Sequence, residues 1–405
     1  MAEYVSESVQ LTNEIQLHIP EEGISALSNE LLDSFENSNM EVTDKKVEQS
    51  ESCAKVVAAH YNNIEEKGVE DRKDSRIFHM RNLNNWIKSR LIAKVLRRIA
   101  NEKKQRGFNV LDLGCGKGGD LLKFQKGPVN HVVCADIAEV SVDQCKKRYN
   151  EHQHKFSAEF ITADCSKVNL KSKFDNPDLK LDLVSCQFAF HYSFESLPQA
   201  EQMLANISSN LQPGGYFIGT TTDAFDIIRR LDRETNPGNR KFGNEVFSVE
   251  FPESTSLEKV PLFGAKYNFH LEGAVDCPEF LVHFPTFQKL ALRYGLKLIE
   301  KTRFEDFVKE EPDFEFKNLL VRMKVYEAYP PYPGKELVSK IPSDYVHAQD
   351  YLGSLPNSKD LKIGTLTKAE WEAASLYLLF IFQKEDNQRN VDTKLPREAD
   401  GQQTV

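Results

Sequence analysis

No apolar run in this 405-residue chain approaches the roughly 20 residues that span a bilayer, and its N-terminus lacks the basic-then-apolar pattern of a secretory signal. A soluble, intracellular protein without membrane contact is therefore expected. None of the seven cysteines (Cys53, Cys115, Cys134, Cys145, Cys165, Cys186, Cys277) belongs to a Cys-x-x-Cys pair. Several lie inside apolar, strand-like runs, where a free thiol behaves as a small hydrophobe. Neither a zinc site nor a disulfide framework is expected from that spacing, and a reducing compartment is. Nothing repeats at the periods of solenoid proteins. Basic charge is short overall, with a net of −9, but the deficit is local. Met1–Asp74 holds 17 acids against 6 bases, a net of −11, which leaves +2 for residues 75–405. An overall acidic balance thus does not exclude a nucleic-acid substrate for the larger part of the chain.

The acidic stretch 1–74 mixes Glu, Ser, Asn and Gln with scattered aliphatics, and it reads as mostly disordered. A short partner-binding helix near Ile24–Phe35 is the specific expectation there; a solvated tail is the plainer one. Past Gln383 the chain is polar again, and residues 386–405 read as a tail. Between Arg76 and Arg106 the balance reverses, with ten Lys and Arg against the single acid Glu102. Leu83, Ile87, Leu91 and Val95 recur every fourth residue, which predicts an amphipathic helix with a basic outer face. Its first turns bring Asn84, Asn85 and Lys88 to one side. Asn is a mediocre helix former, so two adjacent amides there leave a ligand role open.

The chain turns on Val110–Asp120, Val-Leu-Asp-Leu-Gly-Cys-Gly-Lys-Gly-Gly-Asp. An apolar strand from Phe108 to Leu113 runs into Gly114, Gly116, Gly118 and Gly119, and a helix follows. Glycines permit the positive φ values and the close backbone approach that ligand binding needs. An acid stands before the turn, Asp112, and another after it, Asp120. Acids repel a phosphate but tolerate a sulfonium-bearing amino acid, which disfavours a dinucleotide; the motif resembles the first motif of class I S-adenosylmethionine (SAM) methyltransferases, with a structural glycine turn or another nucleotide fold as the alternatives. Strands at His131–Ile137, Ala158–Ala163, Leu181–Phe188 and Gly215–Thr221 then alternate with helices at Val140–Tyr149 and Glu195–Leu211. Such alternation predicts a parallel sheet covered on both faces, with ligands at the carboxyl ends of its strands. Gly114, Asp136, Asp164 and the segment Ser185–Tyr192 converge there. Asp136 is placed for ribose hydroxyls and Asp164 for an adenine amino group, while an Asp at a strand end is equally a common helix cap or turn residue; the aligned glycine turn favours the ligand reading of the pair. Beyond Thr222, residues 232–262 read as a polar insertion and Pro278–Tyr294 as a helix, so that Glu279 also reads as an acid in a first helical turn.

With Phe78–Lys88 (Phe-His-Met-Arg-Asn-Leu-Asn-Asn-Trp-Ile-Lys), the glycine turn, Ser185–Glu195 (Ser-Cys-Gln-Phe-Ala-Phe-His-Tyr-Ser-Phe-Glu), Val275–Phe280 and Gly364–Ala373 taken together, the chain resembles the eukaryotic mRNA cap guanine-N7 methyltransferases of animal type. The resemblance covers about 75–385, read as one catalytic domain. It implies an α/β, Rossmann-like class I SAM-dependent methyltransferase fold, with a mostly parallel seven-stranded sheet, helices on both faces and an inserted lobe. It further implies SAM as methyl donor, S-adenosylhomocysteine as product, and contacts to SAM from Lys88, Gly114, Asp136, Asp164, Gln187 and Tyr192. For the capped RNA end it implies Asn84, Asn85, Lys117, Lys123, Arg148, His191, Glu279 and Tyr377. No general acid or base is implied: Glu279, His191 and Tyr192 would act through position and charge. The capped 5′ end of mRNA, a small activating subunit and the transcription and capping machinery are the implied partners, with a nuclear, monomeric catalytic chain. A dense basic import cluster is missing near the N-terminus, where only Lys45-Lys46 occurs. The competing readings are a class I methyltransferase of a small molecule or protein, and a cap-binding module without catalysis.

Overall fold

The computed structural model describes residues 53–64, 75–104, 106–232, 238–310, 312–356 and 361–386. The helix expected near Ile24–Phe35 and the tail beyond 386 lie outside these. Within the stretch read as mostly disordered, Cys53–Asn63 forms a helix, α1, with Val57 buried. Helix α2, Phe78–Lys103, follows. Its predicted stripe of Leu83, Ile87, Leu91 and Val95 is wholly buried, and it ends where Lys104 turns left-handed and donates its N–H to the Ala100 carbonyl.

The basic face of α2 meets acids from later in the chain. Arg90 pairs with Glu310 at 3.2 Å, Lys94 with Glu300 at 2.7 Å and Arg97 with Asp313 at 2.8 Å. These cations therefore hold down neighbouring elements, a pairing that charge counting along α2 alone does not foresee. Asn84, Asn85 and Lys88 turn elsewhere, towards the cavity described below.

The main sheet starts with β1 (Phe108–Leu113), then α3 (Leu121–Gln125), β2 (Val129–Asp136), α4 (Glu139–Glu151), β3 (Ser157–Thr162), β4 (Leu181–Gln187), α5 (Leu197–Asn210), β5 (Leu211–Thr222) and α6 (Ala224–Asp232). Neighbouring residues alternate between its faces. Val110, Val132 and Cys134 pack towards α2, whereas Leu111, Val133 and Ala135 pack towards α5. β1 pairs in parallel with β2 on one side and β4 on the other. The chain reverses its direction of travel across the sheet at that point, and this opens a crevice beyond the carboxyl ends of β1 and β4.

A second, four-stranded antiparallel sheet is built from β6 (Lys241–Gly243), β7 (Phe247–Glu250), β8 (Lys266–Leu271) and β9 (Val275–Phe280). Part of the supposed polar insertion 232–262 thus forms β6 and β7. The helix expected over Pro278–Tyr294 is also corrected: β9 takes Val275–Phe280, and α7 runs only over Phe284–Arg293. β9 is an edge strand, where a proline's missing N–H costs no ladder bond, and Pro285 is the proline that opens the helix. Glu279 therefore sits in a strand and not at a helix start.

The chain closes with β10 (Leu296–Arg303), α8 (Phe304–Lys309), α9 (Phe314–Arg322), β11 (Glu327–Tyr329), α10 (Val346–Ser354), β12 (Ile363–Thr365), α11 (Lys368–Ala374) and β13 (Tyr377–Lys384). The main sheet has seven strands in the order β10-β13-β5-β4-β1-β2-β3, with β13 antiparallel to both neighbours. This is the seven-stranded, mostly parallel α/β sheet anticipated from the alternation and the resemblance.

Candidate active site

The crevice holds a cavity of about 1160 Å³, somewhat larger than the roughly 300–1,000 Å³ of single small-ligand pockets and enough for two ligands. Its floor is the glycine turn. Gly114 (φ +76°) and Gly118 (φ +72°) adopt a conformation that side chains rarely tolerate. At Gly116 and Gly119 a Cβ would meet nothing within 4 Å, and both residues line the cavity. Side chains there would intrude on space a ligand can use. The turn is pinned from β2: Gly114 donates its N–H to the Ala135 carbonyl at 2.8 Å, and Gly116 donates to Asp136 Oδ2 at 2.8 Å. Asp136 Oδ1 accepts from Ala138 N–H at 2.9 Å. Burial raises the Asp136 carboxyl above its ordinary range, against the pull of those N–H groups.

Asp164 follows β3, where Oδ1 accepts from the Ser166 hydroxyl at 2.6 Å and Oδ2 faces Lys167 at 3.2 Å. Gln187 ends β4 and donates to Ser185 Oγ at 3.0 Å, while its own Oε1 is buried without a hydrogen-bond partner. Asn84 Oδ1 is likewise buried and unpaired. Both residues line the cavity, and a ligand supplying N–H or O–H groups would satisfy them.

At the other end of the turn, Asp120 receives Lys88 at 2.8 Å and Lys123 at 2.7 Å. Burial works against the charge on Asp120, but the two lysines outweigh it and hold the carboxyl below its usual range. Asp112, buried with no such partner, is pushed well above its usual range by burial and then by Asp120. Lys123 also donates to Asn85 Oδ1 at 3.1 Å.

Phe188, with φ +57°, bends the chain sharply after β4. The 3₁₀ turn Phe190–Glu195 then carries His191 and Tyr192 across to the smaller sheet. His191 Nε2 lies 3.4 Å from Glu279 Oε1, and Tyr267, paired with Glu279 across β8 and β9, donates its hydroxyl to Glu279 Oε2 at 2.7 Å. Tyr192 Oη is 3.4 Å from Cys277 Sγ, and burial pushes its phenol well up. Tyr377, at the start of β13, packs edge-on to Phe188 at 5.0 Å.

The expected residues thus fall into two groups. Asn84, Asn85, Lys88, Gly114, Lys117, Asp136, Arg148, Asp164, Gln187 and Tyr192 line the cavity. His191, Glu279 and Tyr377 are buried beside it, and Lys123 stands behind Asp120 and Asn85.

Sequence reasoning missed α1, which walls the cavity with Val57, His60 and Tyr61. Tyr61 and Tyr192 share a hydroxyl–hydroxyl hydrogen bond of 3.0 Å. Lys117 donates to the Ile64 carbonyl at 2.7 Å, Val140 N–H to Asn62 Oδ1 at 3.1 Å, and Asp276 N–H to His60 Nε2 at 3.3 Å. α1 consequently bridges the glycine-turn side and the β9 side. The available signal was Ala-Ala-His-Tyr-Asn-Asn at 58–63, apolar and aromatic within an otherwise polar region.

A model of the mRNA (guanine-N(7))-methyltransferase domain matches residues 44–385. The chain is 48% identical over 339 residues to the mRNA cap guanine-N(7) methyltransferase of Drosophila melanogaster, covering 81% of this chain and 77% of that one. It is 41% identical over 342 residues to that of Caenorhabditis elegans, covering 82% and 87%. It is 40% identical over 349 residues to mRNA cap guanine-N(7) methyltransferase 1 of Oryza sativa subsp. japonica, covering 83% of each.

Proposed function

The chain belongs to the mRNA (guanine-N(7))-methyltransferase family, and from that premise we propose how its own residues serve the reaction. The enzyme transfers the methyl group of SAM to N7 of the cap guanine of mRNA. SAM supplies a methyl group made electrophilic by its sulfonium. Guanine N7 carries an in-plane lone pair and no proton, so no side chain has to act as a base. The protein's work is to hold nucleophile, methyl and sulfur in line and to match the moving charge, effects that supply up to roughly 7–11 kcal/mol in well-oriented reactions.

The donor occupies the open cavity. The N–H-rich glycine turn, Asp136, Asp164, Gln187 and Lys88 hold it, with Asp136 for the ribose and Asp164 for the adenine edge. Tyr192 sits at the boundary between donor and guanine. Positive charge passes to the purine as the methyl moves, so an anion beside guanine gains attraction along the reaction coordinate. Glu279 fills that role and accepts the N1–H and N2–H protons, which selects guanine. His191 steadies the base from the same side and Tyr377 shapes the far wall. Asn84 and Asn85 offer amides to the cap, Lys117 and Arg148 counter the triphosphate, and Lys123 orients the Asn85 amide it holds while adding its charge.

The observation that carries this assignment is the buried Glu279 carboxylate, held by Tyr267 and facing His191 next to a cavity walled by glycine. The Tyr267 hydroxyl uses part of its hydrogen-bonding capacity, and a carboxylate has further acceptor sites to offer a ligand's N–H groups. We further propose a nuclear, monomeric catalytic chain that meets the capping machinery and a small activating subunit. The test is methyl transfer from labelled SAM to GpppG-capped RNA, with uncapped RNA and free GTP alongside. Label on N7 of the terminal guanine is the expected result. Label elsewhere, or SAM binding with no transfer to capped RNA, sends the assignment to a different methyl acceptor.

A further inference from the structure

Three thiols meet beneath the glycine turn. Cys115 comes from the turn itself, Cys134 from β2 and Cys145 from α4, and their Sγ atoms all lie within 4.8 Å of one another. Cys134 and Cys145 are wholly buried, whereas Cys115 keeps 7% exposure and lines the cavity. Among the described residues the group contains no fourth metal-ligating side chain, and structural zinc requires four ligands. The cluster therefore suits sulfur–sulfur chemistry better than metal binding.

We propose that Cys115 and Cys145 form a reversible disulfide when a hydroperoxide enters the cavity, and that this modification disables the cofactor site. The inference rests on the SAM reading of the glycine turn. The neighbouring Cys115 and Cys134 thiols hold the Cys145 thiol below its ordinary range, against its burial and with help from Arg148, while the Cys134 and Cys145 thiols and burial raise the Cys115 thiol well above its own. Negative charge thus gathers on the buried Cys145, and passage of the Cys115 proton to it leaves the cavity-facing Cys115 sulfur as the less populated but more nucleophilic thiolate.

The Cys115 sulfur then attacks the terminal peroxide oxygen: an S–O bond forms, the O–O bond breaks, and hydroxide or alkoxide leaves, to be protonated. The Cys145 sulfur next attacks the sulfenic sulfur of Cys115. An S–S bond forms, the S–O bond breaks, and hydroxide departs with the thiol proton as water. With hydrogen peroxide, two thiols and one peroxide become one disulfide and two waters.

The turn has little slack for this change. A disulfide brings its sulfurs to about 2.05 Å, while a Cβ on Gly118 would already meet Cys145 Sγ at 2.8 Å. Cys115 N–H is tied to the Ala135 carbonyl at 3.1 Å and Gly116 N–H to Asp136 Oδ2 at 2.8 Å. Drawing Cys115 inward pulls Gly116 off Asp136, the carboxylate proposed to hold the ribose. A bound cofactor, conversely, covers the approach to Cys115.

The experiment treats the reduced full-length chain with stoichiometric hydrogen peroxide, with and without S-adenosylhomocysteine. Thiols are counted, disulfides mapped by peptide mass spectrometry, and nucleoside affinity measured by calorimetry before oxidation, after it and after dithiothreitol. A Cys115–Cys145 peptide, at least about tenfold weaker binding restored by the reductant, and slower oxidation in the presence of nucleoside are expected. Cys145→Ser should bind like the parent when reduced and give no reversible loss. Should that variant fold poorly, the mapping and protection on the parent decide alone. Three thiols surviving peroxide, a disulfide that leaves affinity unchanged, or a stoichiometric metal shielding the cluster each overturn the proposal. A reduced chain that binds no nucleoside overturns the SAM reading, and the proposal with it.

Discussion

Two buried glutamates show how much a single side chain's surroundings decide. Glu279 is proposed to answer charge on the purine, so Glu279→Gln is expected to lower methyl transfer by on the order of 10²-fold and to weaken discrimination for guanine, while SAM affinity stays near the parent's. Steady-state kinetics with GpppG and ApppG alongside calorimetry checks this, and unchanged kcat and selectivity would remove Glu279 from the mechanism. Glu370 has a structural part. It completes a capping box with Thr367 at the start of α11 and accepts the Met80 N–H of α2 at 3.0 Å. Burial raises its carboxyl from 4.5 to about 7. The fold therefore favours the protonated acid: the contribution is fully present below about 4.5, is lost as pH rises to about 7, and amounts to up to about 3 kcal/mol. Glu370→Gln mimics the protonated form, so its urea midpoint should gain on the parent's between pH 5 and pH 8; a constant difference would contradict the burial argument. Neither environment could be read from sequence. Glu279 follows a proline and Glu370 follows a threonine by three, patterns that look alike at a helix start. Only the second one is such a start.

The elements divide by how local their causes are. α2 was legible because its apolar stripe repeats over many turns, and β1 with its glycine turn because each residue's requirement is met within the segment itself. β9 was misread because a proline that tolerates an edge strand also suits a first helical turn, and edge position is a property of the sheet. α1 was missed for a related reason. Eleven residues make a marginal helix in isolation, and this one is held by Lys117, Val140 and Asp276 from distant parts of the chain. Its role in walling the cavity predicts that Tyr61→Ala, which removes the hydroxyl bond to Tyr192, lowers methyl transfer at least about tenfold, equivalent to roughly 1.4 kcal/mol, with little change in Tm. A variant as active as the parent would make α1 a bystander.

Across the whole molecule, the smaller sheet is not a separable module. Phe242, Phe247, Tyr267 and Phe269 share one continuous apolar core with Leu83, Leu91 and Val95 of α2 and with Val110 of β1. Phe269→Ala is therefore expected to cost about 3–5 kcal/mol and to move a single unfolding transition; a second transition confined to part of the chain would show that the sheets unfold separately. The shared core also allows the proposed site to span both sheets, with the residues proposed to hold the donor at the ends of parallel strands and Glu279 on the antiparallel sheet. Sequence by itself determined the order of strands and helices in the parallel half, the glycine turn and the acids at the strand ends, since those depend on periodicity and on local backbone needs. The tertiary structure alone decided that α1 walls the cavity, that Glu279 meets His191 and Tyr267, and that the sulfurs of three scattered cysteines come within 4.8 Å of one another under the turn. Those contacts join residues far apart in the chain, and only the packing of both sheets around one core sets the distances between them.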